Sequence, residues 1–358
     1  MIDKQHIVNE SWELLRRMIA IPSVSRNEKE IADMLESFLN DKGFNVNRLH
    51  HNIWIEYGSD STLPRVLFNS HIDTVKPVAG WSQDPFFPLV EGEKLTGLDA
   101  NDAAASVVSL LAAFRILCQK QLPYRLVFLA SAEEEISGGA GIESVLSTLG
   151  NFDLGIVGEP TKMQLAVAEK GLLVIDAESV GIAGHAARNE GENALYKALD
   201  DIAAIRSFDF GQQSDWLGAV KATVTQIEAG TQHNVVPDRC KFVIDVRTTD
   251  CVKNQQAFDA LKQLTKSHLV ARSFRLNASG IDKNHPIAQR AQQMGIGLFG
   301  SPTLSDQALM SFPSVKIGPG DSARSHHANE YILFSEIEQA VYTYCGLLGE
   351  LQIEKRIQ

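Results

Sequence analysis

The sequence predicts an α/β protein in two parts: a mostly parallel, doubly wound sheet, interrupted by an inserted α+β domain of ferredoxin-like order. Three observations predict it. Short apolar strand-like runs alternate with longer helical stretches over roughly the first 170 residues, the pattern of a parallel sheet covered on both faces. From about Gly171 the order becomes strand, helix, strand, strand, helix, strand, that of a small split α/β sandwich. After about Asn284 the chain passes into Gly/Pro-rich loops, notably Gly318-Pro319-Gly320-Asp321, and a last amphipathic helix. The expected division is therefore 1–170 plus 284–358 for the outer domain and 171–283 for the insert.

Each element has a local reason. Trp12, Leu15 and Ile19 recur at helical spacing, and Ile21-Pro22-Ser23 stops that helix because proline biases its predecessor out of the helical region. An amphipathic stretch over 28–42 predicts a second helix, with Gly43 as its left-handed cap. Strands are expected over 65–69, 124–130 and 154–157, with a helix over 103–117. In the insert, strands are expected over 172–180, 219–228 and 240–247 and near Phe274, and helices over 192–206 and 254–269. The final helix begins at about Ser335.

The 358 residues carry 33 Lys plus Arg against 44 Asp plus Glu, a net charge of −11, with 44% hydrophobic and 22% charged residues. That profile excludes collagen-like, disordered and disulfide-scaffold classes. An acidic balance argues against nucleic acid or an anionic membrane as partner, since both require a cationic footprint. Cys118, Cys240, Cys251 and Cys345 are scattered without a CxxC pair, so reduced thiols and a cytoplasmic location are expected. The first fifteen residues are acidic where a signal peptide is basic and then apolar. The longest apolar run, 103–118, is cut by serines and Arg115 and is too short to span a bilayer.

Chemistry gathers where apolar strands run out. Arg65-Val66-Leu67-Phe68-Asn69 leads into Ser70-His71-Ile72-Asp73, and period-two alternation puts His71 and Asp73 on one side of an extended segment. An HxD pair can orient a metal-bound imidazole; a structural histidine satisfied by its neighbours is the plainer alternative. The strand before Ser131-Ala132 ends in Glu133-Glu134-Glu135, which otherwise reads as a solvated face or a helix N-terminus. A third strand ends in Gly158-Glu159-Pro160-Thr161. Asp102 stands before an alanine-rich helix, where it could serve as an N-cap, and His326 lies in a loop before the last helix. Ligands of open α/β sheets bind beyond the carboxyl ends of the strands, so three such ends bearing metal-type side chains together point to a site.

The ordered set His71-Ile72-Asp73, Asp102, Glu134-Glu135, Gly158-Glu159-Pro160-Thr161 and Ser325-His326 resembles the two-zinc aminoacylase/carboxypeptidase family, the M20-type metallopeptidases. The resemblance extends over nearly the whole chain, from Ile21-Pro22-Ser23-Val24-Ser25 through Gly184-His185 and Gly191-Glu192-Asn193-Ala194 to Asn329-Glu330-Tyr331. It implies that His71, Asp102 and Glu159 bind one zinc, that Asp102, Glu135 and His326 bind the other with Asp102 as the bridge, and that Asp73 orients His71. Glu134 is implied as the general base. In the insert, His185 resembles a residue that in many members reaches the partner subunit's active site, and Asn234 and Arg247 resemble substrate-contacting positions. Two departures stand out: Asp102-Ala103-Ala104-Ala105 replaces the family's Asp-Met-Lys-Gly, and Glu133-Glu134-Glu135 replaces Asp-Glu-Glu.

The resemblance implies two Zn2+ ions per subunit, with Co2+ or Mn2+ as substitutes because no thiolate belongs to the set, in a homodimer joined through an insert that acts as a lid. It implies hydrolysis of the amide bond of a small-molecule N-acyl amino acid. The segments 126–142 and 157–171 look most like the acetylornithine deacetylase branch of arginine biosynthesis. N-succinylornithine or N-acetylcitrulline deacylase, succinyl-diaminopimelate desuccinylase and dipeptidase or aminopeptidase activities are the alternatives on the same scaffold, and a non-catalytic scaffold is the alternative of another class.

Overall fold

The computed structural model describes residues 3–188 and 190–356. It comprises two compact units: one takes the chain up to Val167, then Ile281–Phe299 and the stretch from Ser305 onward; the other is Ala168–Gly280 with Gly300–Leu304. The fold is mixed α/β.

The first unit is built on a sheet whose central strands run parallel in the order Arg125–Ser131, Arg65–His71, Leu154–Val157, Ser314–Lys316. Their apolar runs are continuous, because both faces are covered. On one face lies the helix Ala104–Leu117, buried at every residue but Arg115, with the helices Lys4–Ile19 and Phe334–Leu348 packed outside it. A helix sandwiched in this way has no polar face to show, which is why its sequence is apolar all round. On the other face Leu67, Val127 and Leu129 pack against Ile142 and Val145 of the helix Ile142–Leu149, with Phe152 and Phe312.

The parallel pattern stops at the sheet margins. Asn52–Tyr57 pairs antiparallel with Arg125–Ser131, and Asn47–Leu49 pairs antiparallel with Asn52–Tyr57. The two-residue connection His50-His51 explains the reversal, since a hairpin this tight joins only antiparallel neighbours, and His50 takes the positive φ of 54° that such turns require. Neither strand was expected from the sequence, which lacks clear alternation there. On the opposite margin Leu165–Glu169 also runs antiparallel to Ser314–Lys316.

The second unit holds a four-stranded antiparallel sheet in the order Lys221–Ala229, Arg239–Thr248, Gly171–Val180, His268–Ala271. Helices Ala194–Ser207 and Asn254–Leu264 share one core with it, through Leu173, Ile175, Ala198, Ile205, Phe242, Ile244 and Leu261. The expected helix over 254–269 stops at Leu264, and the last strand lies at His268–Ala271 rather than near Phe274. The cause is local. The Asp201 carboxylate accepts the amides of Lys266 and Ser267 and the Ser267 hydroxyl, drawing the chain off the helix axis. No helix among the described residues is long and apolar enough to cross a membrane.

Candidate metal centre

Because three of the central strands run parallel from Arg65, Arg125 and Leu154, their carboxyl ends open at one edge of the sheet. His71 closes the first of them, with its imidazole buried at 1% exposure. Its Nδ1 is 2.9 Å from the backbone carbonyl of Asp73, which leaves Nε2 facing the site. There Nε2 lies 3.5 Å from Asp102 Oδ1, 3.8 Å from Glu159 Oε1 and 3.9 Å from Glu134 Oε2.

Asp102 is not the side-chain cap of the alanine-rich helix, whose N-cap position is Ala103 and has no side-chain cap bond. Its carboxylate turns into the site: Oδ1 faces His71 and Oδ2 lies 3.7 Å from His326 Nε2. The Glu330 carboxylate secures the turn, accepting the amides of Asn101 at 2.7 Å and Asp102 at 2.9 Å. His326, half exposed and at a positive φ of 60°, approaches Glu135 at 3.2 Å through the same Nε2. His71, Asp102 and Glu135, and likewise His71, Glu134 and Glu159, each present one ligand atom within 4.8 Å of one another.

The three consecutive glutamates are separated by the backbone. Glu133 adopts a left-handed φ of 56°, and its carboxylate folds back to accept the Ala140 amide at 3.2 Å. A Cβ on Gly138 would lie 1.9 Å from Glu133 Oε2, so glycine is needed at that close approach. Glu134 and Glu135 then point into the cluster. The Asp73 carboxylate lies 3.7 Å from His71 Nδ1 through Oδ1, farther than the backbone carbonyl of the same residue at 2.9 Å. That carboxylate is engaged by three other donors: the amides of Glu134 at 2.9 Å and Glu135 at 3.1 Å and the hydroxyl of Ser25 at 2.7 Å.

The electrostatics follow from five carboxylates and two imidazoles crowded in one place. Burial opposes charge on His71, yet the bond to Asp102 and the nearby Glu134, Glu159 and Asp73 raise its pKa well above the usual range. Burial first, then the His71 charge acting against the repulsion of Glu159, leaves Glu134 well above the ordinary carboxyl value. Glu159 is raised in the same sense by burial and by Asp102. Asp102 is lowered: burial works against it, and the His71 bond and charge outweigh that. The Glu135 bond and charge outweigh burial and raise His326 to about 9, and burial together with Asp102 raises Glu330 to about 8. Hard oxygen and imidazole donors in negative excess fit divalent cations, and no sulfur lies in the set.

His185, Asn234 and Arg247 belong to the second unit. His185 pairs with Val235 in a short two-stranded ladder, its Nδ1 accepts the Ala187 amide, and the Ala186 amide donates to the Asn234 carbonyl at 3.0 Å. Arg247 forms a two-point contact with Asp245, at 2.8 and 3.1 Å.

Several supporting residues carry no motif of their own. Besides Glu330, the buried Asp306 carboxylate accepts from Asn69 at 2.8 Å and Ser131 at 2.7 Å. Burial raises Asp306 to about 6. The backbone amides of Arg26 and Glu133 donate to buried Glu28. Of the supporting carboxylates Glu28, Asp306 and Glu330, only Glu330 lay in a motif that the resemblance quoted.

A family model described as Peptidase family M20/M25/M40 matches residues 67–350. The chain is 28% identical to a succinyl-diaminopimelate desuccinylase of Xylella fastidiosa, over 67% of this chain and 68% of the relative. It is 26% identical to a probable carboxypeptidase of Emericella nidulans, over 94% and 88% of the two chains. Among solved structures, a tripeptidase from Staphylococcus aureus matches at a TM-score of 0.76 with 21% identity, over 98% of each chain.

Proposed function

The chain belongs to peptidase family M20/M25/M40, and from that membership we propose that it is a two-metal hydrolase of the amide bond in a small N-acyl amino acid or short peptide. The observation that carries the reading is the placement of Asp102 between two imidazoles, one oxygen toward His71 and the other toward His326, with Glu134 alongside. His71, Asp102 and Glu159 would hold one ion and Asp102, Glu135 and His326 the other. Zinc is the proposed metal, with cobalt as a substitute. When bound, two such ions polarise a scissile carbonyl and lower the pKa of a water.

The protein's own groups supply the rest. Glu134, whose Oε2 lies beside His71 at the mouth of the cluster, accepts the proton of the attacking water and returns it to the leaving amine. Asp73 holds Glu134 in place through its backbone amide. The Asp73 carbonyl fixes the tautomer of His71 by accepting from Nδ1.

The relatives named desuccinylase and carboxypeptidase support an acyl or peptidyl amide whose leaving amine is an amino acid. Acetylornithine, favoured by the resemblance of segments 126–142 and 157–171, belongs to this class. Between its acetyl group and a succinyl group, the named desuccinylases favour succinyl. The deciding experiment is a hydrolysis panel with zinc or cobalt added: N-succinyl-diaminopimelate, N-succinylornithine, N-acetylornithine, N-acetylcitrulline and unblocked di- and tripeptides. Turnover of the first four classes assigns a deacylase, turnover confined to free peptides assigns a peptidase, and no metal-dependent turnover on any amide overturns the proposal.

We further propose a homodimer in which His185 serves the partner subunit, a reading supported by the family resemblance around Gly184-His185. Mixing His185→Ala with Glu134→Gln chains should restore activity in heterodimers. Mixed dimers that form yet stay inactive count against it.

A further inference from the structure

At the opposite end of the sheet from the carboxylate cluster, Arg65 and Arg125 begin two adjacent parallel strands and stand directly beside one another in register. Like charges at paired strand positions repel, so this pairing is unfavourable unless something answers it. Arg65 is only partly answered. Its Nη1 donates to the Leu149 carbonyl at 2.7 Å, Nη2 pairs with Glu56 at 3.2 Å, and the guanidinium stacks on Phe152, while Nε is buried without a partner. Arg125 is answered more weakly, by the charge of Asp60 without direct contact. Its stem lies against Gly58, its Nε is buried and unpartnered, and among the described residues its side chain makes no hydrogen bond or ion pair.

These two residues line a cavity of about 400 Å³ with Asn151, Asp153, Lys355 and Arg356. Four cations and a single carboxylate thus meet in one recess of a chain whose net charge is −11. One carboxylate offsets only part of that charge, Asp153 acting on Arg65 from within the recess. Asp153 accepts the backbone amides of Arg65 and Arg356, both at 2.7 Å, one on each oxygen, and so ties the C-terminal segment to the wall of the recess. Lys355 is held there by a bond from Nζ to the Ser61 carbonyl at 2.7 Å. The nearby Asp60 carboxylate accepts from the amide and hydroxyl of Thr62, and its charge acts on Arg125 and Lys355 without an ion pair to either.

We propose that this recess is a binding site for a phosphate group, carried either by inorganic phosphate or by a small phosphate monoester. A planar guanidinium with free donors recognises a tetrahedral oxyanion through paired N–H···O bonds, and a lysine beside it adds a point charge. The unpartnered Arg125 is the principal donor, Lys355 and Arg356 complete the charge, and Arg65 supplies a further positive wall. The volume admits a phosphate with a sugar-sized substituent and is small for a larger cofactor. No member of the carboxylate cluster lines the recess, so a ligand there leaves the hydrolytic groups free.

The test is calorimetric titration of metal-loaded protein at fixed ionic strength with inorganic phosphate, with ribose 5-phosphate and with ribose, repeated on Arg125→Gln and Lys355→Gln. Saturable binding of the phosphates but not of ribose is expected, weakened by roughly tenfold or more in Arg125→Gln, the loss of one charge-assisted contact. Basal hydrolysis should be unchanged in both variants. Tighter binding of the ester than of free phosphate identifies an organic ligand, and equal binding identifies phosphate itself. Binding retained at full strength in both variants would place phosphate at the metal centre and overturn the proposal, as would no saturable binding up to about 10 mM. Should Arg125→Gln lose its folded circular dichroism, Lys355→Gln at the exposed rim carries the same test.

Discussion

The Asp73 carboxylate accepts the backbone amide of Glu134 at 2.9 Å, with the Glu135 amide at 3.1 Å. One side chain thus holds the backbone of both the proposed base and a proposed ligand from behind, while the backbone carbonyl of the same residue lies 2.9 Å from His71 Nδ1. Position in the sheet makes this possible: His71 and Ser131 are paired across adjacent strands, so the residues just beyond each lie side by side.

Asp73→Ala should therefore lower kcat far more than it raises KM. Bonds to a charged acceptor contribute about 1.5–3 kcal/mol each, so loss of two should slow turnover by roughly 100-fold or more. Asp73→Asn retains one acceptor oxygen and should fall between the two. Steady-state kinetics with metal content measured in parallel separates this from simple loss of the ions; an Asp73→Ala enzyme with normal kcat refutes the positioning role.

Glu134→Gln removes the proton acceptor while preserving size. It should retain the metal stoichiometry of the parent and lose roughly 10²- to 10⁴-fold in kcat, the range of general-base contributions. Retention of normal turnover would move the role elsewhere. Glu133 is a poor substitute, because its carboxylate is folded onto the Ala140 amide.

The legibility of this site in the sequence had a physical limit. His71, Glu134, Glu135 and Glu159 were readable because each follows an apolar strand, and parallel strands deliver their carboxyl ends to one place. The route of Asp73 was not. Spacing placed it beside His71, but which of its groups meets the imidazole depends on donors at Ser25 and Glu134 that are remote in the chain. Glu330 and Asp306 reach the site across more than 170 residues from the groups they hold. The hairpin at 47–57 escaped notice because strand Asn47–Leu49 is only three residues long and half-buried throughout, leaving no alternation to read.

Removal of the metals should cost stability as well as activity. Without cations the cluster leaves carboxyls such as Glu134 and Glu159 buried together, both driven above their ordinary range. Chelation should abolish turnover and lower Tm, with zinc or cobalt restoring both. A ligand present at a thousand times its Kd stabilises by about 4 kcal/mol, which a thermal scan resolves easily. An unchanged Tm after verified metal loss would show that the cluster does not bind the ions tightly.

Acid sensitivity away from the site should trace to Glu10. This carboxylate on the first helix pairs with Lys42, after the second helix, and with Arg115 of the alanine-rich helix at 2.7 Å, so it ties three helices together. Burial raises its pKa, but the bonds and charges of Lys42 and Arg115 outweigh that and hold it below the ordinary 4.5. A depressed folded-state pKa contributes stability that is complete above the unfolded value and disappears as pH falls through the folded one. In metal-free protein, Glu10→Gln should therefore cost about 1–2 kcal/mol at pH 7 by urea unfolding. The gap between parent and variant should close as pH falls from the ordinary glutamate value through the lower folded-state one, because the parent's own carboxyl becomes neutral over that range. A gap that persists unchanged into that acid range would assign the effect to packing of the glutamate stem instead of to its charge.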